Sequence, residues 1–251
     1  MTYTAPHQTG LMVIPREEFA RDYFVYKGGE HTLFGGPTGQ GKSQLSFKLL
    51  EYTANSDMPA YVAVVKPHDP LITREGKRLG YRTVREWPPK TKMVDYFRDK
   101  PPGYLIWPKM GDMDADTDNA SRVVGSLMRE RYSAGVKGHP GILVCDDSMV
   151  LSKILRLDKE MVTHIAMARA LGLGGWYFFQ KPTDSGRASI WSYGASEHVF
   201  LFRDPDKRNR QRYGEIGGVD PKFVEEASLQ LKPYQSLYIK RTGGRMCIVD
   251  A

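Results

Sequence analysis

Residues 33–50 read LFGGPTGQGKSQLSFKLL, and Gly36, Gly41, Lys42 and Ser43 within them fill the pattern G-x-x-x-x-G-K-S. Each residue type has a physical reason to be there. Glycines let the backbone turn successive N–H groups inward around phosphate oxygens. The helix that follows, SQLSFKLLEYTA, adds unpaired N–H donors and the positive end of its dipole. Lys42 supplies a point charge for the β- and γ-phosphates, and the Ser43 hydroxyl is a Mg²⁺ ligand. The apolar run HTLFGG before the loop suits a buried strand, so the strand–loop–helix context is complete. The candidate nucleotide-binding residues are Gly36, Pro37, Thr38, Gly39, Gln40, Gly41, Lys42, Ser43 and Gln44, with ATP and Mg²⁺ as the expected cofactors.

Composition bounds what surrounds this loop. The chain has 251 residues, 41% of them hydrophobic, enough for one large α/β domain with a full core. No apolar run approaches the roughly 20 residues needed to span a bilayer, so no membrane insertion is expected. The N-terminus MTYTAPHQTGLMVIPREEF has no basic flank followed by an apolar core, which excludes a signal peptide as its reading. Cys145 and Cys247 are far apart in apolar runs, without metal spacing or a disulfide framework, and a reducing, cytoplasmic setting is expected. A net charge of +7 suits a polyanionic partner but does not identify one.

Strand and helix signals alternate along the chain, which predicts a mostly parallel central sheet flanked by helices. Strand signals are AYVAVVKP, GYLIWP, GILVCDD, GWYFFQKP and EHVFLFR; the end, QSLYIKRTGGRMCIVD, alternates about Gly243–Gly244 and predicts a C-terminal β-hairpin. The segment DPLITREGKRLGY reads as a short helix or a turn, and Asp158 as the N-cap of the helix DKEMVTHIAMARALGLG. Residues 1–25 read as an N-terminal extension and 26–251 as the nucleotide-binding domain. The acidic run GDMDADTDNASR does not make an EF-hand, because its sixth and twelfth positions are Thr117 and Val123 where Gly and Glu are required. A solvated loop capped into the next helix by Asp118 or Asn119 is the expectation.

The other half of a phosphate-transferring site is the strand ILVCDD. An apolar strand ending in Asp146 puts a carboxylate at the sheet's carboxyl edge, where it can hold Mg²⁺ with Ser43. Asp147 is then placed to orient or deprotonate an attacking water. The strand GWYFFQ ends in Gln180, whose amide would lie beside Asp146 and near the γ-phosphate.

Four segments in order resemble the FtsK/HerA superfamily of DNA-pumping P-loop ATPases: GGPTGQGKS, ILVCDDSMVL, MARALGLGGWYFFQKPTD and HVFLFRDPDKRNRQRYGEIGG. Arg169, Gln180, Lys181, Pro182 and Arg203 match the order of an Arg-bearing helix, a strand ending in Gln with a basic-Pro pair, and a strand ending in Arg. The match covers 32–43 and 141–218. Asp147 stands where Glu is usual and Lys181 where Arg is commoner. The resemblance implies an α/β P-loop NTPase, and ATP hydrolysis with Lys42, Asp147, Gln180, Arg169 and Arg203 as catalytic residues and Ser43 and Asp146 on the metal. It further implies an oligomeric ring, hexamer favoured, with an arginine acting across the subunit boundary. The compact chain is most similar to viral and mobile-element packaging ATPases, whose partners would be double-stranded DNA and a capsid portal or vertex in the host cytoplasm.

Two other classes share the loop. A small-molecule kinase would use RDPDKRNRQR as an arginine lid, and a conjugation or phage-extrusion assembly ATPase would move protein or single strands. Arg208 and Arg210 stand as further subunit or DNA contacts, against a solvated turn and helix start. Among basic clusters, Arg74, Lys77, Arg78 and Arg82 are the candidate DNA-phosphate contacts, with PPKTKM and KRTGGR beside them.

Overall fold

A computed structural model describes residues 9–90, 99–182 and 187–251. Part of the basic cluster PPKTKM, the end of the KPTD segment and the first eight residues of the N-terminal extension lie outside these. The described residues form a sheet of ten strands whose centre is β2 (His31–Gly35). Beside it on one side run β7 (Leu173–Phe179), β6 (Gly141–Cys145), β3 (Ala60–Ala63), β5 (Gly103–Ile106) and β4 (Arg82–Val84), all parallel. On the other lie β8 (Ser196–Phe202), parallel to β2, and the antiparallel hairpin of β9 (Ser236–Lys240) and β10 (Arg245–Asp250). The parallel sheet and the C-terminal hairpin are both as the sequence predicts. The short edge strand β4 has no sequence signal of its own, because its residues RTV lie in a basic stretch.

The central strands are buried on both faces, which is why they read as continuous apolar runs. Side chains alternate across the sheet. Leu33, Tyr177, Val199 and Leu201 face one core, packed by α4 (Met113–Val136), α5 (Asp158–Met167) and α8 (Pro221–Gln230) through Val123, Leu127, Met161, Ile165 and Val224. Phe34, Trp176, Phe178 and Phe200 face the other, packed by α2 (Lys42–Thr53) and α3 (Pro70–Arg78) through Leu45, Leu49 and Ile72. Phe34 is level with Phe178 in β7 and Phe200 in β8, and its ring stacks on both, at 4.5 and 5.1 Å between centroids.

Residues of the expected N-terminal extension enter this architecture. Strand β1 (Val13–Pro15) pairs with β10, and Phe19 and Phe24 are buried against Phe200 and Tyr238. The acidic run is corrected. It is the first three turns of α4, capped by Asp112, which accepts from the Ala115 amide at 3.1 Å. Asp114 and Asp116 sit in the first turn, where the helix dipole favours negative charge, so the carboxylates promote the helix rather than a loop. Leu157, not Asp158, is the N-cap of α5; Asp158 is one residue inside and accepts from the Ser152 hydroxyl at 2.7 Å. No helix among the described residues is long and apolar enough to cross a membrane.

Candidate active site

Register assembles the site. Gly35 at the end of β2 is level with Phe179 of β7 and Leu201 of β8, and Cys145 of β6 with Tyr177 of β7. The segments that leave these strands therefore emerge together at the carboxyl edge, where open α/β sheets bind ligands. The Gly36 amide donates to the Phe179 carbonyl at 3.0 Å, holding the start of the phosphate loop beside Gln180. Gly36 has φ +150°, and a Cβ there would fall 2.7 Å from Cβ of Phe202. Gly41, at φ +90°, is the N-cap from which α2 starts.

Lys42 is buried beneath the loop, its Nζ donating to the carbonyls of Gly36 at 2.5 Å and Pro37 at 2.7 Å. Burial pulls its pKa down to about 8, against the opposing attraction of Asp146 and Asp147. Ser43 Oγ donates to Asp146 Oδ1 at 2.9 Å, so the two residues expected to share a metal touch each other. Asp147 accepts from the Val150 amide at 3.2 Å and from Gln180 Nε2 at 3.0 Å. Burial raises its pKa above the usual carboxylate value, an effect the Val150 bond opposes and the charge of Asp146 reinforces. Pro37, Thr38, Gly39, Gln40 and Gln44 line the same loop and the first turn of α2, with Thr38, Gly39 and Gln44 exposed.

The two arginines part company. Arg203 follows β8 at the same carboxyl edge and is exposed. Arg169 is in a 3₁₀ turn (Ala168–Leu171) before β7, with its carbonyl against Gly29, ahead of β2. The length of β2, about 13 Å at 3.3 Å per residue, separates that turn from the phosphate loop. Arg210 is not a free cation: it is buried, donating to the carbonyls of Asp204 and Pro205 at 2.9 and 2.7 Å. Among the candidate DNA contacts, Arg74 pairs with Glu75, and Arg78 with Glu75 and Glu51.

Two residues at this edge escaped the sequence reading. Lys66, just past β3, donates to Asp146 Oδ2 at 3.0 Å and Asp69 Oδ2 at 3.3 Å. Burial alone would lower its pKa, and the two carboxylates outweigh that and raise it. Asp204, 1% exposed, accepts from Asn209 Nδ2 and the Tyr213 hydroxyl, both at 3.0 Å, and its charge reaches Lys42. The segment DPDKRNRQR is a turn and helix start, with Asp206 capping α7 (Lys207–Gly217) and Pro205 to Arg208 exposed, while Asp204, Asn209 and Arg210 are packed beneath. The signal was present: FLFRD, like ILVCDD, is an apolar strand running into a carboxylate.

A sheet in this order, with a phosphate loop after its central strand and two carboxylates two strands away, has counterparts. No protein-family model matches the chain, and no curated protein matches it in sequence. Among solved structures, B204, the DNA-packaging ATPase from Sulfolobus turreted icosahedral virus, matches with a TM-score of 0.56 at 13% identity, over 90% of this chain and 98% of that one. The fold is that of a P-loop NTPase. The genome packaging NTPase B204 from Sulfolobus turreted icosahedral virus 2, in complex with AMPPCP, gives 0.52 at 12% identity over 88% and 97% of the two chains. The cytoplasmic domain of the Thermomonospora curvata type VII secretion ATPase EccC gives 0.57 at 17% identity, over 92% of this chain and 26% of that one. The P-loop NTPase fold expected from the ordered motifs is thus met, and packaging and secretion ATPases share it.

Proposed function

We propose that this chain is an ATPase that hydrolyses Mg²⁺-ATP at the carboxyl edge of the sheet and uses the turnover to move double-stranded DNA, as an oligomeric ring, in genome packaging. The observation that carries the reading is the contact of Ser43 with Asp146 beside that of Gln180 with Asp147. These contacts support the reading because a hydroxyl–carboxylate pair suits a metal and a carboxylate–amide pair suits an attacking water, beside one phosphate loop.

The donor set suits Mg²⁺. Ser43 and Asp146 offer hard oxygens, and the described residues hold no larger cluster of His, Cys, Asp or Glu that could cage a metal alone. Mg²⁺ is commonly held by one or two side chains plus substrate phosphates. When bound, it neutralises charge on the β- and γ-oxygens. Lys42 exchanges the Gly36 and Pro37 carbonyls for phosphate oxygens. Asp147, with its raised pKa, takes a proton from the attacking water, and Gln180 holds that carboxylate in place and senses the γ-phosphate. Lys66 keeps Asp146 neutralised while the phosphates are absent. Arg169 is out of reach of its own phosphate loop, so in a ring it serves a neighbour, whereas Arg203 sits beside its own.

DNA is favoured over a small phosphate acceptor by the +7 charge and by the packaging proteins among the structural neighbours. The test is hydrolysis with duplex DNA, single strands or neither. Duplex should stimulate, without sequence preference, and binding that neutralises about six phosphates should weaken on the order of a thousandfold between 50 and 200 mM salt. Stimulation by single strands alone would move the reading to a conjugation or extrusion ATPase. Phosphate transfer to a small molecule, with no response to DNA, would overturn it in favour of a kinase.

A further inference from the structure

The sheet order gives the phosphate loop two unlike sides. Toward β7, β6 and β3 lie Asp146, Asp147, Gln180 and Lys66, the groups that handle the γ-phosphate. Toward β8, β9, β10 and β1 the loop meets a different surface. Gly41, the last residue before α2, lies against the ring of Tyr234: a Cβ on Gly41 would be 3.2 Å from Tyr234 Cδ1, 3.7 Å from Gln44 Oε1 and 3.8 Å from Arg16 Nη2. Tyr234 is half exposed, 47%, in the turn between α8 and β9.

Its backbone is the unusual feature. Tyr234 has φ +67°, a conformation that a bulky side chain adopts only under constraint. The constraint is visible. Gln235, 2% exposed, accepts from the Lys232 amide at 2.9 Å through its side chain and donates to Asp250 Oδ1 at 3.1 Å. From the other side, Arg16 Nη2 donates to the Tyr234 carbonyl at 3.1 Å. Arg16 Nε is buried without a hydrogen-bond partner, and burial lowers the pKa of the side chain against the attraction of Asp250. Three chain segments thus hold the strained turn whose exposed aromatic ring lies against the phosphate loop. Strain that the surroundings over-determine is characteristic of ligand clamps.

We infer that Tyr234 is the platform on which the base of the bound nucleotide stacks, and that Arg16 is a positioning residue that fixes the turn carrying it. The inference rests on the phosphate-loop reading above. A nucleoside triphosphate whose γ end points to Asp146 and Asp147 must leave its α-phosphate, ribose and base on the opposite side of the loop. Gln44, in the first turn of α2, and the Tyr234 ring are the groups met there. A flat, half-exposed aromatic face held rigidly loses little entropy on binding and accepts a nucleobase through its π-surface.

The test compares two ligands, Mg²⁺-ATP and Mg²⁺-tripolyphosphate, the second having phosphates but no base. In Tyr234→Ala and Tyr234→Gly the affinity for ATP should fall about tenfold, and that for tripolyphosphate should not change. Tyr234→Phe should keep both. Tyr234→Gly relieves the positive φ and should fold at least as stably as the wild type, so its loss of ATP affinity is not a loss of fold. Arg16→Ala should follow Tyr234→Ala, with a smaller drop. Unchanged ATP binding in Tyr234→Ala, while the wild type binds both ligands, overturns the stacking role alone. Equal weakening of both ligands makes Tyr234 a structural prop of the loop and also overturns it. A wild-type protein that binds neither ligand overturns the phosphate-loop reading, and this inference with it.

Discussion

At the amino end of the sheet, His31 Nδ1 accepts the Gly175 amide at 2.9 Å while its Nε2 meets the Ile165 carbonyl at 3.0 Å. The Gly175 N–H fixes the tautomer: Nδ1 bears no proton, Nε2–H donates, and the ring is neutral. Near it His164 meets the Tyr177 hydroxyl at 3.0 Å, and His198 bridges Glu30 and the Tyr238 hydroxyl, each at 2.9 Å. At the carboxyl end Lys42 and Asp146 are charged types, and their partners are ones a ligand can replace. Lys42 is lent to two backbone carbonyls, and Asp146 is shared by a hydroxyl and a lysine. Both ends bury polar atoms, with opposite consequences. Pairs locked inside the fold fix its geometry, whereas exchangeable ones keep a site ready for a polyanion.

The largest expected effect tests whether the amino end has any part in catalysis. Arg169→Ala and Lys42→Ala proteins, each nearly inactive alone, should regain activity when mixed, because an intact phosphate loop can then face an intact arginine. An arginine supplied in trans is worth roughly 10³–10⁵ in rate, so even a minority of such interfaces is measurable by phosphate release. The same mixture with Arg203→Ala should show no rescue, since Arg203 sits beside its own loop. No rescue of Arg169→Ala at any ratio would leave the amino end purely structural.

A smaller effect should appear in stability. Burial pulls the His31 pKa down to about 4, helped by the charge of Arg169, from an ordinary value of 6.5. A histidine depressed in the fold contributes stability that is complete above pH 6.5 and is lost as pH falls toward 4. The unfolded chain takes up a proton that the folded one refuses. The loss at pH 4 is about 3 kcal/mol, read by urea unfolding. His31→Asn keeps an acceptor for the Gly175 amide and cannot ionise, so its stability curve should be flatter over that window. An identical curve would mean that other groups carry the acid sensitivity.

The smallest effect concerns α4, whose start borders the carboxyl end. Asp112→Ala removes the cap on the Ala115 amide and should cost about 1 kcal/mol in thermal or urea unfolding. Hydrolysis should be unchanged, because the site itself is untouched. A fall in hydrolysis would extend the site to the start of α4.

The sequence by itself determined the phosphate loop, the parallel sheet and the C-terminal hairpin. Each follows from local chemistry: glycines before a lysine and a serine, apolar runs of strand length, and a Gly-Gly turn between alternating strands. It also placed Asp146, Asp147 and Gln180, since a polar residue ending a buried strand must surface at the sheet's edge. Tertiary structure alone decided which strands are neighbours, and hence which of those edge residues touch. Lys66 meets Asp146 because β3 pairs with β6, 80 positions apart in the chain. The sequence put Arg169 before one strand and Arg203 at the end of another, yet only the parallel pairing of β7 and β8 with β2 puts the two at opposite ends of the sheet. The acidic run was misread because alternating carboxylates suggest a loop, until the Asp112 cap and the dipole of a 24-residue helix make them its favoured first turn. Tyr234 carried no motif, because a side chain's place against a loop nearly 200 residues upstream is a property of packing, and packing is not local.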